Sequence, residues 1–303
     1  MIEQGSRIVA LESLHVPNRW CPSRNLLHAY RRGNPVHLIS KRRSSCFYKA
    51  AAATLNAGDG TFPHFVPEQV SEIQEEAALN MIRSMERCRL EVPSLGQPVD
   101  TAYAEITGDQ TPIVLLHGFD SSLLEFRRLF PLLREAGATA YAVDLIGWGF
   151  SCCGFHDYPN LQLGPQQKTD HLYEFWRKKV QRPMVLCGVS LGSAIAVQFA
   201  LQHPEAVAGL VLSSPQVYVD GIGPMASMPW VLSYLGVQVL KTRQLRGLAN
   251  QMAYHDKERL ATDDALRIGR LHTFLPGWTN SNIAFMKSGG YTKRLPKTSL
   301  TPG

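Results

Sequence analysis

Hydrophobic and polar positions change their period several times along this chain. Between residues 68 and 89, Val70, Ile73, Ala77, Met81 and Met85 recur at spacings of three and four, with Pro67 near the start. That period predicts one amphipathic helix over the whole stretch. "VDTAYAEI" then reads as a strand, and after a turn at Gly108-Asp109 the run "PIVLLHG" is almost wholly apolar. Such a run suits a strand covered on both faces of its sheet.

Strand and helix patterns alternate from there. "SLLEFRRLFPLLREAG" reads as a helix ended by Gly137, "TAYAVDL" as a strand, "KTDHLYEFWRKKV" as a helix and "PMVLCG" as a strand. "LGSAIAVQFALQH" follows as a helix closed by Pro204, then "GLVLSS" as a strand. The alternation predicts an α/β chain with a doubly wound, mostly parallel sheet, whose ligands bind at the carboxyl ends of the strands. After Ser214 the strand period stops. "PWVLSYLGVQVLKT", "LRGLANQMAY", "DDALRIGRLHTF" and "NSNIAFMKS" read as short helices rich in Met and aromatic residues. They predict a helical cap over the ligand end; a helical subdomain with no part in the site fits the same composition.

The expected organisation is a leader at 1–58, an amphipathic helix and linker at 59–96, a core at 97–214, a cap at 215–288 and a disordered basic tail at 289–303. Composition agrees with a globular body, at 45% apolar and 18% charged residues. The longest apolar run, "MVLCGVSLGSAIAVQFAL", is interrupted by Ser190, Ser193 and Gln198, so no membrane-spanning helix is expected.

The net charge of +6 has its source in residues 1–58, where nine Lys/Arg face only Glu3 and Glu12. That stretch has no nucleic-acid motif, and no nucleic-acid partner is expected. It is Arg-rich and Ser-containing, without an acidic residue between Glu12 and Asp59, which fits a transit peptide to the chloroplast. A mitochondrial address, or a merely disordered tail on a cytoplasmic protein, fits the composition too. Glu3 and Glu12 count against a transit peptide, and no apolar stretch suits secretion. The six cysteines, at 21, 46, 88, 152, 153 and 187, lack zinc-site spacing and suit a reducing compartment. No metal and no organic cofactor is expected.

Candidate chemistry centres on Gly188-Val189-Ser190-Leu191-Gly192, which closes a predicted strand and opens a predicted helix. A serine on such a turn is a candidate nucleophile, and Gly188 and Gly192 would let strand and helix approach closely. Acyl transfer also needs two backbone N–H groups aimed at the developing oxyanion; Leu191, after the serine, and Phe119, after "HG", are the candidates. His117, at the end of its strand, reads as a histidine bonded to backbone beside Gly118, rather than as a base. Asp144, opening "DLIGWGFS", reads as a turn-holding carboxylate, rather than as the acid of a triad.

"LLHGFDSS", "AVDLIGWGFS" and "GVSLG" together resemble the α/β-hydrolase superfamily, of the AB hydrolase-1 type, in order and spacing. The likeness covers roughly residues 62 to 291 and extends to plastid-targeted plant and algal members through "RRLFPLLREAG" and "FMKSGGY". It implies a serine hydrolase core with a helical cap, and a small-molecule ester or related acyl substrate, which the apolar cap suggests is hydrophobic. It also implies a Ser, Asp/Glu, His order along the chain, with two strands after the cap occupying about 70 residues.

This chain departs from that pattern, continuing only about fifteen residues past the cap, so it reads as C-terminally truncated with the last strands missing. Downstream of Ser190 the histidines are His203, in the helix-closing "QHPEAV", and His255 and His272 in the cap; the carboxylates Asp220, Asp256, Glu258, Asp263 and Asp264 follow no strand. The expectation is a serine hydrolase impaired by the lack of a triad histidine and acid. A non-catalytic form acting by interaction is the alternative, and a third reading recruits His255 or His272 from the cap as base.

Overall fold

Residues 7–10, 61–151, 163–216 and 226–289 are described by the computed structural model. Seven strands, β1 (Arg7–Ala10), β2 (Glu86–Val92), β3 (Gln97–Ile106), β4 (Ile113–Leu116), β5 (Ala140–Val143), β6 (Met184–Val189) and β7 (Val207–Ser213), form one sheet. The order is β1-β7-β6-β4-β5-β3-β2. Strands β1, β7, β6, β4 and β5 are mutually parallel, while β3 and β2 are added antiparallel at one edge. The doubly wound, mostly parallel sheet expected from the alternation is therefore present.

Four helices accompany the strands: α1 (Glu76–Arg83), α2 (Phe130–Glu135), α3 (Pro165–Phe175) and α4 (Leu191–Gln202). Alternation along each strand divides the core between the two faces of the sheet. Val114, Leu116, Tyr141 and Val143 join Leu172, Phe175, Ile195 and Phe199 of α3 and α4. Leu115, Ala140 and Ala142 join Ala78, Met81 and Ile82 of α1 and Phe130 of α2. Burial on both sides is why β4 and β5 carry unbroken apolar runs rather than alternating ones.

The single helix expected over 68–89 does not form. A short 3-10 turn at Glu68–Glu72 precedes α1, which ends at Arg83, and Glu86–Val92 pairs along its whole length with β3. Residues 86 to 92 carry both periods, and the β3 ladder supplies backbone partners that an isolated helix end lacks. The helix expected up to Gly137 is likewise divided, into a 3-10 turn at Leu123–Phe126 and α2, with Pro131 in the first turn of α2.

The cap holds α5 (Trp230–Leu240), α6 (Arg243–Ala253), α7 (Lys257–Leu260), α8 (Asp263–Leu271) and α9 (Trp278–Lys287). Ile268, Leu271, Trp278, Ile283 and Met286 enter the same apolar cluster as α1 and α2, and Phe285 enters the other. Among the described residues no strand follows the cap, and no helix is long and apolar enough to cross a membrane. The leader and tail expectations fall outside the described residues, apart from the backbone of 7–10, which pairs with Gly209–Leu212, and Gly289.

Candidate active site

Ser190 stands between β6 and α4 with φ 53° and ψ −118°, a backbone state that L-residues rarely adopt. Close approach on both sides forces it. A Cβ on Gly188 would lie 2.6 Å from the backbone of Gly192 and Ser193, and one on Gly192 would meet the carbonyls of Leu116 and His117, the latter at 2.6 Å. Neither neighbour is a flexible side chain that could move aside. The turn is pinned further by Ser190 N–H donating to Ser213 O at 2.9 Å and Ser193 Oγ donating to Gly188 O at 2.7 Å.

The loop after β4 passes directly beside this turn. A Cβ on Gly118 would sit 3.5 Å from Ser190 Cβ, so the backbone entering Phe119 lies against the serine. No hydrogen bond from a described residue occupies the N–H of Leu191 or of Phe119. Phe119 is held from the other side by Trp148, at a ring-centroid distance of 5.4 Å, and by Phe285 of α9 at 5.6 Å.

His117 is fully buried and both its nitrogens are engaged by main chain: Nδ1 with Gly118 O at 2.8 Å, and Nε2 with the Leu145 N–H at 3.1 Å. That pattern assigns the proton to Nδ1, and burial drives the pKa down to about 3, so the ring is neutral. Asp144 is equally buried and accepts from Leu123 N–H at 2.5 Å and Phe150 N–H at 2.7 Å. Burial outweighs those two bonds and raises its pKa to about 8. Gly149, at φ 55°, lies where any Cβ would collide with the Asp144 carboxylate. Both groups thus hold the loops after β4 and β5.

Three charged groups went unrecognised in the sequence. Asp120, at φ 46°, receives the Arg246 guanidinium, Trp278 Nε1 at 2.8 Å, Asn282 Nδ2 at 3.3 Å and His272 Nε2 at 3.4 Å. Burial acts to raise its pKa, but Arg246 and His272 outweigh it and hold the carboxyl below its usual value. Glu125 accepts the Gly118 N–H at 3.1 Å, which places a carboxylate on the same loop. Lys168, fully buried on α3, donates to Ile146 O at 2.6 Å and stands 3.4 Å from the centroid of the Trp148 ring. All three contact groups distant in sequence or mid-loop, and only the charge itself was visible beforehand.

The downstream histidines are dispersed. His203 caps α4 and stacks on Tyr173 at 4.0 Å, and His255 is exposed. His272 is fully buried against Asp120, with burial lowering its pKa and Asp120 opposing that shift. No Ser190 Oγ hydrogen bond to a described residue is present, and no cluster of three or more His, Cys, Asp or Glu among the described residues could hold a metal. Cys187 is free and half-buried on β6.

A seven-stranded, mostly parallel sheet in which β6 passes through a strained serine turn into α4 is the arrangement of the α/β-hydrolase fold. The family model Hydrolase_4, described as "Serine aminopeptidase, S33", matches residues 109–276, and the chain belongs to the α/β-hydrolase family. It is 38% identical over 242 residues to the alpha/beta hydrolase domain-containing protein VTE7 of Arabidopsis thaliana, covering 77% of this chain and 71% of that one. It is 32% identical over 112 residues to the (lyso)-N-acylphosphatidylethanolamine lipase of Mus musculus, covering 35% of this chain but only 31% of the lipase. Among solved structures it is similar to a probable hydrolytic enzyme of Pseudomonas aeruginosa (TM-score 0.56, 22% identity, 69% of this chain and 67% of that one). A thermophilic esterase of Thermogutta terrifontis is similar too (TM-score 0.52, 17% identity, 67% and 72%). At those identities the two structures speak for the fold.

Proposed function

We propose that this chain is a serine hydrolase of an ester or related acyl compound, with Ser190 as nucleophile and the N–H groups of Leu191 and Phe119 holding the oxyanion. The observation that carries this reading is the strained Ser190 backbone, with the N–H groups of Leu191 and Phe119 bonded to no described residue. In the reaction Ser190 Oγ attacks the acyl carbon, the carbonyl oxygen takes the charge between the two N–H groups, and the acyl–oxygen bond breaks as the departing oxygen takes up the serine proton and leaves as the alcohol. Water then releases the acid from the acyl-enzyme. His117, Gly118, Gly188, Gly192 and Asp144 support the loops that bring these groups together. The small-molecule substrate is hydrophobic in this reading, on the apolar composition of the cap helices.

Turnover by the chain is weak in this reading, since none of the described histidines is hydrogen-bonded to the nucleophile, and a serine without a base attacks slowly. Labelling with a fluorophosphonate probe and assay on p-nitrophenyl esters test it. Slow labelling abolished by Ser190→Ala is expected, with ester turnover near background. Folded protein that takes up no probe at Ser190 would sink the enzyme reading in favour of a non-catalytic interaction protein. Labelling lost in His272→Ala while the fold persists would instead make His272 the base.

The leader is proposed as a chloroplast transit peptide, on composition and on the plant origin of the VTE7 relative. Cleavage near residue 58 would remove β1, so the N-terminal sequence of the mature protein decides whether β1 remains.

A further inference from the structure

Helix α5 is apolar nearly all the way round, and little of it is covered. Its eleven residues, "WVLSYLGVQVL", contain no charge. Only Ser233 and Val237 are buried, while Trp230 (53%), Val231 (61%), Leu232 (52%), Tyr234 (39%), Leu235 (55%) and Val239 (54%) are exposed. At 100° per residue those six positions span more than half the helix circumference. A soluble monomer rarely leaves so much contiguous apolar surface without a use for it.

Charge around the helix indicates what covers it. Residues 226–255 contain Lys241, Arg243 and Arg246 and no Asp or Glu. Lys241 and Arg243 follow the helix directly, and Lys287 Nζ reaches Met228 O at 3.4 Å beside its N-terminal end. Arg243 also faces Asp263 of α8 at 3.9 Å, a contact that leaves both side chains largely exposed, and cations flank the apolar face at both ends. The Trp230 and Tyr234 rings stack on one another at 5.3 Å, with an apolar body and a polar tip each, as suits the boundary between headgroups and acyl chains. A protein partner would be met by a rim of mixed charge and hydrogen-bonding groups; on α5 Ser233 is buried and Gln238 already donates to Thr279, which leaves the Trp230 and Tyr234 tips in that role.

We propose that α5 is the docking face by which this protein lies on a bilayer rich in anionic lipids, its apolar residues entering the acyl boundary while Lys241, Arg243 and Lys287 meet the headgroups. The proposal does not depend on Ser190 being a nucleophile.

Co-sedimentation of the full chain with vesicles tests it, using phosphatidylcholine alone and phosphatidylcholine mixed with phosphatidylglycerol. Binding to the mixed vesicles, weakened by salt, is expected, with a blue shift of tryptophan emission that Trp230→Phe largely removes. Leu235→Glu should lower binding by about tenfold or more. Neutralising Lys241 or Arg243 to Gln should lower it by about fivefold each. Leu132→Glu, at an exposed site on α2, should leave binding unchanged, as a control for simple loss of surface hydrophobicity. Because α5 side chains at these positions are exposed, circular dichroism should show the fold intact in each variant. Absence of vesicle binding overturns the proposal, as does binding that Leu235→Glu leaves intact. A dimer that Leu235→Glu dissociates, in protein that ignores vesicles, would assign the face to a second copy of the chain and overturn it also.

Discussion

Inside the sheet region, His117, Asp144 and Lys168 are fully buried, and each is answered by main-chain groups of nearby loops. At the seam between sheet and cap the answer comes instead from side chains. Arg246 of α6, His272, and Trp278 and Asn282 of α9 all converge on Asp120. The difference concerns what fails when one group is lost. Backbone donors stay in place whatever the neighbouring side chain, whereas removing one carboxylate leaves the Trp278 indole N–H without its acceptor and the Arg246 guanidinium with only main-chain carbonyls.

The largest expected effect is therefore at the seam. Asp120→Ala should cost about 3–5 kcal/mol, the range for breaking a buried ion pair. Hydrogen exchange should show α6 and α9 opening before β4 and β6. Exchange that rises equally in sheet and cap would remove the distinction between the two regions.

Within the sheet, Gly192→Ala drives a methyl group into the carbonyls of Leu116 and His117. Overpacking against backbone should cost about 3 kcal/mol in urea unfolding. An unchanged midpoint would mean that α4 can move off β4, contrary to the tight turn at Ser190.

Acid sharpens the comparison next. His117 and His171 each titrate at about 3 in the fold against an ordinary 6.5, because burial penalises the charged ring. The unfolded chain binds those protons first, so their stabilisation is complete above about pH 6.5 and is lost as pH falls toward 3. Asp144, raised to about 8 by burial, acts in the opposite sense: its share is complete below its ordinary 3.8 and is lost as pH rises toward 8. His272, whose pKa burial also lowers, adds to the two histidines, while Glu125, raised by burial, adds to Asp144, and the three histidines leave a net fall in stability on acidification below pH 6.5. His171→Asn, which removes one of the three, should lessen that fall in urea midpoints recorded between pH 6.5 and 4.

The smallest effect concerns the turn itself. Ser190→Gly relieves a positive φ and should stabilise the fold by about 1 kcal/mol while abolishing probe labelling. Ser190→Ala should abolish labelling without that gain, because alanine keeps the Cβ.

Much of this fold was legible in the sequence because its strands are short apolar runs closed by turns. β4, β5, β6 and β7 lie where "PIVLLHG", "TAYAVDL", "PMVLCG" and "GLVLSS" place them, and the four main cap helices follow their predicted stretches. β2 was hidden because Glu86 to Val92 satisfies a helical period as well as an alternating one, and only pairing with β3 decides between them. The serine turn was legible for a local reason, since its glycines stand two residues either side of Ser190. Asp120 was not, because its partners lie 126 to 162 residues away and no local pattern marks a carboxylate with such partners. Lys168 resembled any solvated lysine on an amphipathic helix until Trp148 and Ile146 were seen to enclose it.

Asp120 immediately follows Phe119, and its side chain is a polar point on which α6 and α9 are anchored, beside the apolar packing of the cap on α1 and α2. Consider a graft that replaces the cap with that of another protein. Here such a graft would not be a matter of matching helix ends at residues 215 and 289. An incoming cap would have to bring its own guanidinium, indole and amide to the same carboxylate, or Asp120 would have to be replaced along with it. The loop after β4 and the cap behave as one exchangeable unit, and a chimera that moves either alone should fold poorly before its specificity can be measured.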